Sequence, residues 1–520
     1  MKDAFNSFWS KPWLLAITAG ILLGLSFPPF PFPFLQIPAF LLLLQVISLS
    51  NSAKQAAYYT YPGFLIWNLI STYWLMMATV AGGIASILAN AVLMSLTAML
   101  LYWVQKKYSS AWLVAIFQAC FWVSFEYLHF QWDLSWPWLT LGNGWAYYTN
   151  FIQYISVTGV MGVSAWIILV SALLFQFIKK RNKIAGYSTL FLFLLMPVVS
   201  FIQLSVFSPK ELESVEVAVV QPNFDTYKPN GGFETPLQSL SLLLKLSNKA
   251  RTDETDLILW PENGIYPYLS NRRQPARIEK TIDERIFTKA EEWNTVILGG
   301  VRYFDFFYDN PPPLAESSGY LPYLSYNAAI AFFPNGTTEV YRKHNLVPVV
   351  ERLPFVKFFE RIDVFGWINW PKYQGFGQGE ETNLFKTDST QVPALICYDS
   401  VYPGWIRHFT QKGAGFLTII TNDGWWGNSS GHIQHFAFAR LAAIEFHRWI
   451  IRSANNGISG VIAPDGTVKV KTNYWKRTSF NYKVPVLEET TFYSRFGNWL
   501  PILMLFMGLI SLIYLIIFKR

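Results

Sequence analysis

Three side chains of different chemistry stand at the ends of strand-like runs in the second half of the chain. Glu262 follows Leu257-Ile258-Leu259-Trp260-Pro261, Lys343 sits just past the 338–342 segment, and Cys397 follows Val392-Pro393-Ala394-Leu395-Ile396. In layered α/β proteins ligands bind beyond the strand ends, where side chains from separate strands converge. A carboxylate, an ammonium and a thiol gathered there form a working set. The carboxylate takes the thiol proton, the thiolate attacks a carbonyl, and the ammonium stabilises charge on oxygen. Spacing alone selects this reading only weakly, since any strand end can carry a Glu or a Lys. The chain has two cysteines, Cys120 in an apolar stretch and Cys397, expected to lie too far apart to pair. Cys397 is then either a small buried hydrophobe or a working thiol, and its number alone does not choose between them.

Those residues need a scaffold, and composition says of what kind. Of the 520 residues 52% are hydrophobic, 18% aromatic and 14% charged, where a soluble domain carries about 25% charged residues. The deficit is uneven: residues 1–207 hold 12 charged side chains, nine basic and three acidic. Disorder and a collagen-like chain are excluded. The net charge of +8 sits mostly in the apolar part, and the near-balanced remainder leaves no basic face for nucleic acid.

Apolar stretches able to cross a bilayer, about 20 residues each, are expected near 12–28, 34–50, 57–79, 83–104, 111–130, 157–178, 185–206 and 498–518. The first is read as a retained anchor rather than a cleaved signal. Lys2/Lys11, Lys54, Lys106/Lys107, Lys179/Lys180/Arg181/Lys183 and Lys519/Arg520 fall at every second gap, while 29–33, 80–82 and 131–156 contain no Lys or Arg. The basic gaps and both termini are therefore expected in the cytoplasm and 207–497 on the opposite side. This gives a transmembrane bundle over 1–206, an extracytoplasmic domain over 207–497 and a final transmembrane helix over 498–520.

Within 207–497, β-branched runs alternate with helical patterns. Strands are expected at 215–221, 256–261, 295–301, 327–333, 392–397, 416–421, 450–454 and 458–463, and helices at 235–250, 276–293, 403–412 and 431–447. That alternation argues an α/β layered domain. The 304–325 stretch, with Pro311-Pro312-Pro313, reads as a long surface loop.

At the three chemical residues the chain resembles a known family. Trp260-Pro261-Glu262-Asn263, Lys343-His344-Asn345-Leu346-Val347-Pro348 and Ile396-Cys397-Tyr398-Asp399 resemble the Glu–Lys–Cys signature of the nitrilase superfamily. The membrane framing narrows the likeness, as do Val219-Val220-Gln221-Pro222-Asn223, the 421–427 run Thr-Asn-Asp-Gly-Trp-Trp-Gly and the 452–457 run Arg-Ser-Ala-Asn-Asn-Gly. Together they are similar to the superfamily's membrane-embedded apolipoprotein N-acyltransferase branch. The resemblance implies a four-layer αββα sandwich over roughly 215–490. It implies Glu262 as general base, Lys343 on the oxyanion, Cys397 as nucleophile and the Tyr398 backbone N–H as a second oxyanion donor. Glu351 matches a carboxylate that orients the Lys ammonium. Two positions depart from the pattern: Asp399 stands where many relatives have Glu, and Pro348-Val349-Val350-Glu351 replaces a more usual Pro-Phe-Gly-Glu.

The resemblance further implies a phospholipid acyl donor, commonly phosphatidylethanolamine, and a diacylglyceryl-modified apolipoprotein acceptor. It implies a thioester intermediate, no cofactor, and a multi-pass protein of the bacterial inner membrane with its catalytic domain in the periplasm. Trp138, in Trp136-Pro137-Trp138-Leu139, resembles a loop near the lipid entrance, and an interfacial aromatic belt fits it equally. Trp425 and Trp426 are read as walls of an acyl pocket, and the 135–145 and 345–375 stretches as lids that keep water from the thioester. Glu126, inside the fifth span, is a functional candidate by its cost in lipid unless it reaches water. His432, His435 and His447 share a helical pattern without a third ligand at metal-site spacing, so no metal is expected. A membrane-anchored amidase using the same three residues is the rival enzyme, but it would need one anchor rather than eight spans. A transporter with a binding domain would carry more ionisable groups within its spans.

Overall fold

The computed structural model describes residues 8–317, 321–363 and 366–517. Lys2, Lys519, Arg520 and the last residue of the expected 498–518 span lie outside the described residues, as do 318–320 and 364–365 of two expected loops. The chain forms two compact units. One comprises 1–208, 429–445 and 491–520, the other 209–428 and 446–490.

The first unit is helical. Among the described residues five helices are long and apolar enough to cross a membrane: Val80–Lys107, Ala111–His129, Met161–Lys180, Lys183–Val206 and Trp499–Ile517. Of the other expected spans, 12–28 and 34–50 form shorter apolar helices. The third, helix Ala53–Thr72, has the length but carries Lys54, Gln55 and Asn68. Close packing depends on small residues. A Cβ on Gly20 would fall 2.2 Å from the Gly63 carbonyl oxygen, so helices Pro12–Gly24 and Ala53–Thr72 meet backbone to backbone. Polar side chains join helices where no water can: Asn90 Nδ2 donates to Asn68 Oδ1 at 2.8 Å.

Helix Ser430–Phe446, which the sequence reads as a layer of the α/β domain, packs mostly with this first unit. Its Gln434 is buried and fully engaged. The amide oxygen accepts from the indole N–H of Trp74 (3.1 Å) and Trp138 (2.7 Å), and the nitrogen donates to the carbonyls of Pro28 (2.7 Å) and Ser71 (3.0 Å). Near the helix end Glu445 accepts the Val160 N–H at 2.7 Å. Polar groups that look water-directed in sequence are thus satisfied by residues hundreds of positions away.

The second unit is built on two sheets. The larger contains β1 (Ser214–Gln221), β2 (Thr255–Leu259), β3 (Ile265–Ser270), β4 (Val296–Phe306), β5 (Glu316–Ser317), β6 (Pro322–Phe332) and β7 (Thr338–Arg342). The two-residue strands β8 (Phe385–Lys386) and β9 (Gln391–Val392) pair with each other. The smaller sheet runs β10 (Ala394–Ile396), β11 (Leu417–Thr421), β12 (Ile450–Ala454), β13 (Gly460–Ile462) and β14 (Val468–Lys471) in that order, and β15 (Thr478–Pro485) returns to the edge of the larger sheet beside β1. β1, β2 and β4 are parallel and nearly continuous apolar runs, as strands covered on both faces must be. Two crossover helices cover one face. Pro236–Ala250 starts at a Thr235–Gln238 capping box and buries Leu240, Leu243 and Leu246, and Arg277–Trp293 buries Ile282, Ile286 and Ala290. The other face meets the smaller sheet, where Ser453 Oγ donates to the Val220 carbonyl at 2.8 Å.

The expected loop at 304–325 is in part sheet. β4 and β6 extend as a hairpin, with Phe304 opposite Ser325 and Phe306 opposite Tyr323. Alternating aromatics continue the strand period past the apolar core; Pro311, Pro312 and Pro313 fall in the connection, and Pro322 is the first residue of β6.

Candidate active site

The parallel strands of both sheets end on a common set of polar side chains. β10 stops at Ile396, and Cys397 begins a short 3-10 turn, Cys397–Val401, with φ of +47°. That left-handed value is uncommon for a non-glycine residue and marks a strained elbow. Ser400 Oγ donates to the Cys397 carbonyl at 2.7 Å, and Ile396 N–H donates to Asp399 Oδ2 at 3.4 Å. Ile396 pairs with Ile420, so Thr421 at the next rung places its hydroxyl in hydrogen-bonding contact with the Cys397 sulfur.

Glu262 leaves β2 through Pro261, whose carbonyl accepts the Gly300 N–H at 3.1 Å. A Cβ on Gly300 would lie 2.5 Å from the Glu262 Cα, so β4 can run this close only with glycine there. The carboxylate is 4% exposed. Its Oε1 accepts from Asn327 Nδ2 at 2.7 Å, and its Oε2 from the Asn422 backbone N–H at 2.8 Å.

Lys343, 1% exposed, follows β7 and is fixed by its own N–H, which donates to the Asn327 carbonyl at 2.9 Å. Its Nζ lies 2.9 Å from Glu351 and 3.8 Å from Glu262 Oε1. Glu351 is delivered by a tight turn in which Val349 takes φ of +68°, costly for a β-branched residue. This is the conformation that Pro348-Val349-Val350-Glu351 adopts. Glu351 also accepts from Val347 N–H and Asn327 Nδ2, both at 2.8 Å.

Asp399 is fully buried. Its Oδ1 accepts from the backbone N–H (2.8 Å) and side-chain amide (3.0 Å) of Asn345, and its Oδ2 from the Tyr341 hydroxyl at 2.8 Å. The Tyr341 oxygen in turn accepts from Trp405 Nε1 at 2.9 Å. The shorter side chain of Asp399 therefore has its oxygens well occupied. Tyr398 is buried with its ring edge-on to Tyr402, at 5.1 Å between centroids. Trp425 is 39% exposed, with the Tyr227 ring against it at 5.5 Å.

Burial pushes the Glu262 carboxyl up, as does Glu351; Lys343 and the two donated hydrogen bonds oppose this without cancelling it. Burial and the Glu262 charge also raise the Cys397 thiol, against the opposing pull of Lys343. For Lys343 burial disfavours the charge, but Glu351, Cys397, Glu262 and Asp399 outweigh it and hold the ammonium protonated. The thiol rests protonated beside a carboxylate of raised basicity, with a fixed cation at hand. This set can pass a proton from sulfur to carboxylate as sulfur bonds to a carbonyl carbon, and can balance the oxyanion that forms.

Cys397, Glu262, Lys343, Glu351 and Asp399 thus form one cluster. Trp138 belongs to the first unit, 1% exposed against Gln434 and Trp74. Glu126 is buried there and does not reach water; its Oε1 accepts from Trp122 Nε1 and from the Leu141 N–H, both at 2.9 Å. His432 and His435 lie in helix Ser430–Phe446 of the first unit, and His447 in the second. Asn327 and Tyr341 escaped the sequence reading, and Thr421 entered it only as part of the 421–427 run, with no role of its own. Asn327 left a signal, a polar amide at the head of the apolar run Ala328-Ala329-Ile330-Ala331-Phe332.

Residues 216–484 match the family model described as carbon-nitrogen hydrolase, and residues 19–173 match that of the apolipoprotein N-acyltransferase N-terminal domain. The chain is 31% identical to an apolipoprotein N-acyltransferase of Chlorobaculum tepidum, over 96% of each chain. It is 27% identical to apolipoprotein N-acyltransferase 2 of Treponema denticola, over 91% of each chain.

Proposed function

The chain belongs to the apolipoprotein N-acyltransferase family within the carbon-nitrogen hydrolases, and from that premise we propose that Glu262, Lys343 and Cys397 carry out its acyl transfer. The enzyme N-acylates lipoproteins. The carrying observation is the convergence of a buried carboxylate, ammonium and thiol at the ends of three strands.

In the first half-reaction Glu262 accepts the Cys397 proton while sulfur attacks the ester carbonyl of a phospholipid, phosphatidylethanolamine in this reading. Lys343 and the Tyr398 N–H hold the oxyanion. The tetrahedral adduct collapses, Glu262 returns the proton to the departing lysophospholipid oxygen, and a thioester remains on Cys397. In the second half, the N-terminal amine of a diacylglyceryl-cysteine lipoprotein attacks the thioester. Glu262 takes the amine's proton and passes it to the leaving sulfur, giving an amide and the resting thiol. Protons and atoms balance over the cycle. Glu351 holds Lys343, Asp399 holds the elbow, and Trp425 lines the acyl path.

The setting is the bacterial inner membrane, crossed eight times with both termini in the cytoplasm and the second unit in the periplasm. The alternating basic gaps support this sidedness. A donor ester lies at the membrane interface, so a membrane-bound enzyme meets it with little displacement. An amidase acting on soluble substrates is not favoured, because such a hydrolase has no use for the matched N-terminal domain. Intact-mass analysis of the full-length protein after incubation with phosphatidylethanolamine tests the reading. An acyl adduct on Cys397 is expected, removed by adding a diacylglyceryl peptide; no adduct under turnover conditions would overturn it.

A further inference from the structure

Asn327 lies in the middle of β6, opposite Arg302 of β4, and is buried. One residue makes three tethers. Its carbonyl accepts the Lys343 N–H at 2.9 Å, and its single amide nitrogen donates to Glu262 Oε1 at 2.7 Å and Glu351 Oε1 at 2.8 Å. Both amide protons are spent on carboxylates. The orientation is forced, since turning the amide over would set its oxygen against two carboxylate oxygens. As a result Oδ1 is buried with no hydrogen-bond partner among the described residues, an arrangement folded proteins seldom keep without a reason.

We propose that Asn327 is a positioning residue for the transfer, a double donor that holds Glu262 and Glu351 in register around the Lys343 ammonium. This rests on the reading of Glu262 as the base. A hydrogen bond donated to a carboxylate favours its charged, proton-accepting form, so Asn327 also tunes the base it holds. The charged and titratable groups facing Glu262 are Lys343 after β7, Glu351 in the following loop and Cys397 at the elbow, and Asp399 and Asp423 act on Lys343 and Cys397 in turn. Replacing Asn327 removes none of these charges, so a change in the titration of the base reports the lost amide and the register it keeps.

The test is acyl-enzyme formation by full-length protein in micelles containing phosphatidylethanolamine, followed by intact mass from about pH 5 to pH 9. In Asn327→Ala the acidic limb of the profile should move up by about one to two pH units, the loss expected when a hydrogen bond to a charged group goes. Rates below both limbs should fall roughly 10- to 100-fold and recover at high pH. A rate loss with the limb in place, or a limb moved down, overturns the proposal. Glu262→Gln separates the two levels. If its limb vanishes while that of Asn327→Ala stays put, the positioning role alone fails. If the limb persists in Glu262→Gln, the base assignment fails and takes the proposal with it. Should Asn327→Ala not yield monodisperse protein, the isosteric Asn327→Asp carries the test, since it cannot donate and adds a third carboxylate; its limb must also move up.

Discussion

Asp399, two residues past the thiol, accepts both N–H groups of Asn345, two residues past the ammonium, at 2.8 and 3.0 Å. The turn that carries Cys397 and the loop that carries Lys343 are thereby tied together, although 54 residues separate Asn345 from Asp399 in sequence. Tyr341 and Trp405 extend the tie to β7 and to helix Pro403–Gln411.

That tie can be cut without changing volume. Asp399→Asn keeps one acceptor for Asn345 but turns N–H toward the Tyr341 hydroxyl. Stability should fall by roughly 1–3 kcal/mol, the usual cost of a spoiled buried hydrogen bond. Acyl-enzyme formation should slow in step. Thermal unfolding and single-turnover acylation check this, and wild-type values in both would remove Asp399 from the supporting set.

Lys343 sits between two buried carboxylates, so its loss has two separable effects. Lys343→Ala removes an oxyanion donor and should slow adduct formation by about a hundred- to a thousand-fold. It also strands Glu262 and Glu351 without a cation, at about 3–5 kcal/mol. Cys397→Ala should instead abolish the adduct while folding normally. Normal adduct rates in Lys343→Ala would exclude the residue from the chemistry.

Glu262→Gln preserves size and one hydrogen-bond acceptor but cannot take a proton. Acylation should become very slow and recover as pH rises. A thiol ordinarily ionises near pH 8.5, but burial and Asp423 still raise Cys397 once the Glu262 charge is gone. Recovery should therefore begin above that value. Wild-type kinetics at neutral pH would sink the base assignment.

Asp283, on helix Arg277–Trp293, has its carboxyl pushed up to about 7 by burial and by Glu279 and Glu284. Between about pH 4 and pH 7 the folded chain keeps a proton that the unfolded chain has released, so stability falls as pH rises through that window. Asp283→Asn should melt with the wild type near pH 4 and above it beyond pH 7. Equal melting temperatures at both ends would show that the carboxyl titrates normally.

Sidedness has its own check. A reporter active only in the periplasm should work when fused near Thr390, in the second unit. Activity from a cytoplasm-only reporter there would invert the orientation.

Lys343 follows the polar Thr338–Arg342 segment and stood out by its position and its motif. Glu262 and Cys397 were legible because each closes an apolar run, where burial and polarity change over one residue. Strand positions in the second unit were legible for the same reason: β-branched runs such as Leu417–Thr421 fill both faces of a covered sheet. Asn327 was not, because its meaning lies in two carboxylates 65 and 24 residues away. Helix Ser430–Phe446 misled for a related reason. His432, Gln434, His435, Arg440 and Glu445 give it a water-facing composition, yet Gln434, Arg440 and Glu445 are met by partners contributed from far along the chain.

The placement of that helix sets an order of events during synthesis. Pro28, Ser71, Trp74 and Trp138 leave the ribosome some 300 to 400 residues ahead of Gln434, so the early helices must be inserted with a vacant seat among them. The seat is filled only after most of the second unit has been made. The two units therefore cannot mature one after the other, as consecutive domains do. A chain stopped anywhere before Ser430 would hold an incomplete bundle, without the one side chain that ties Pro28, Ser71, Trp74 and Trp138 together.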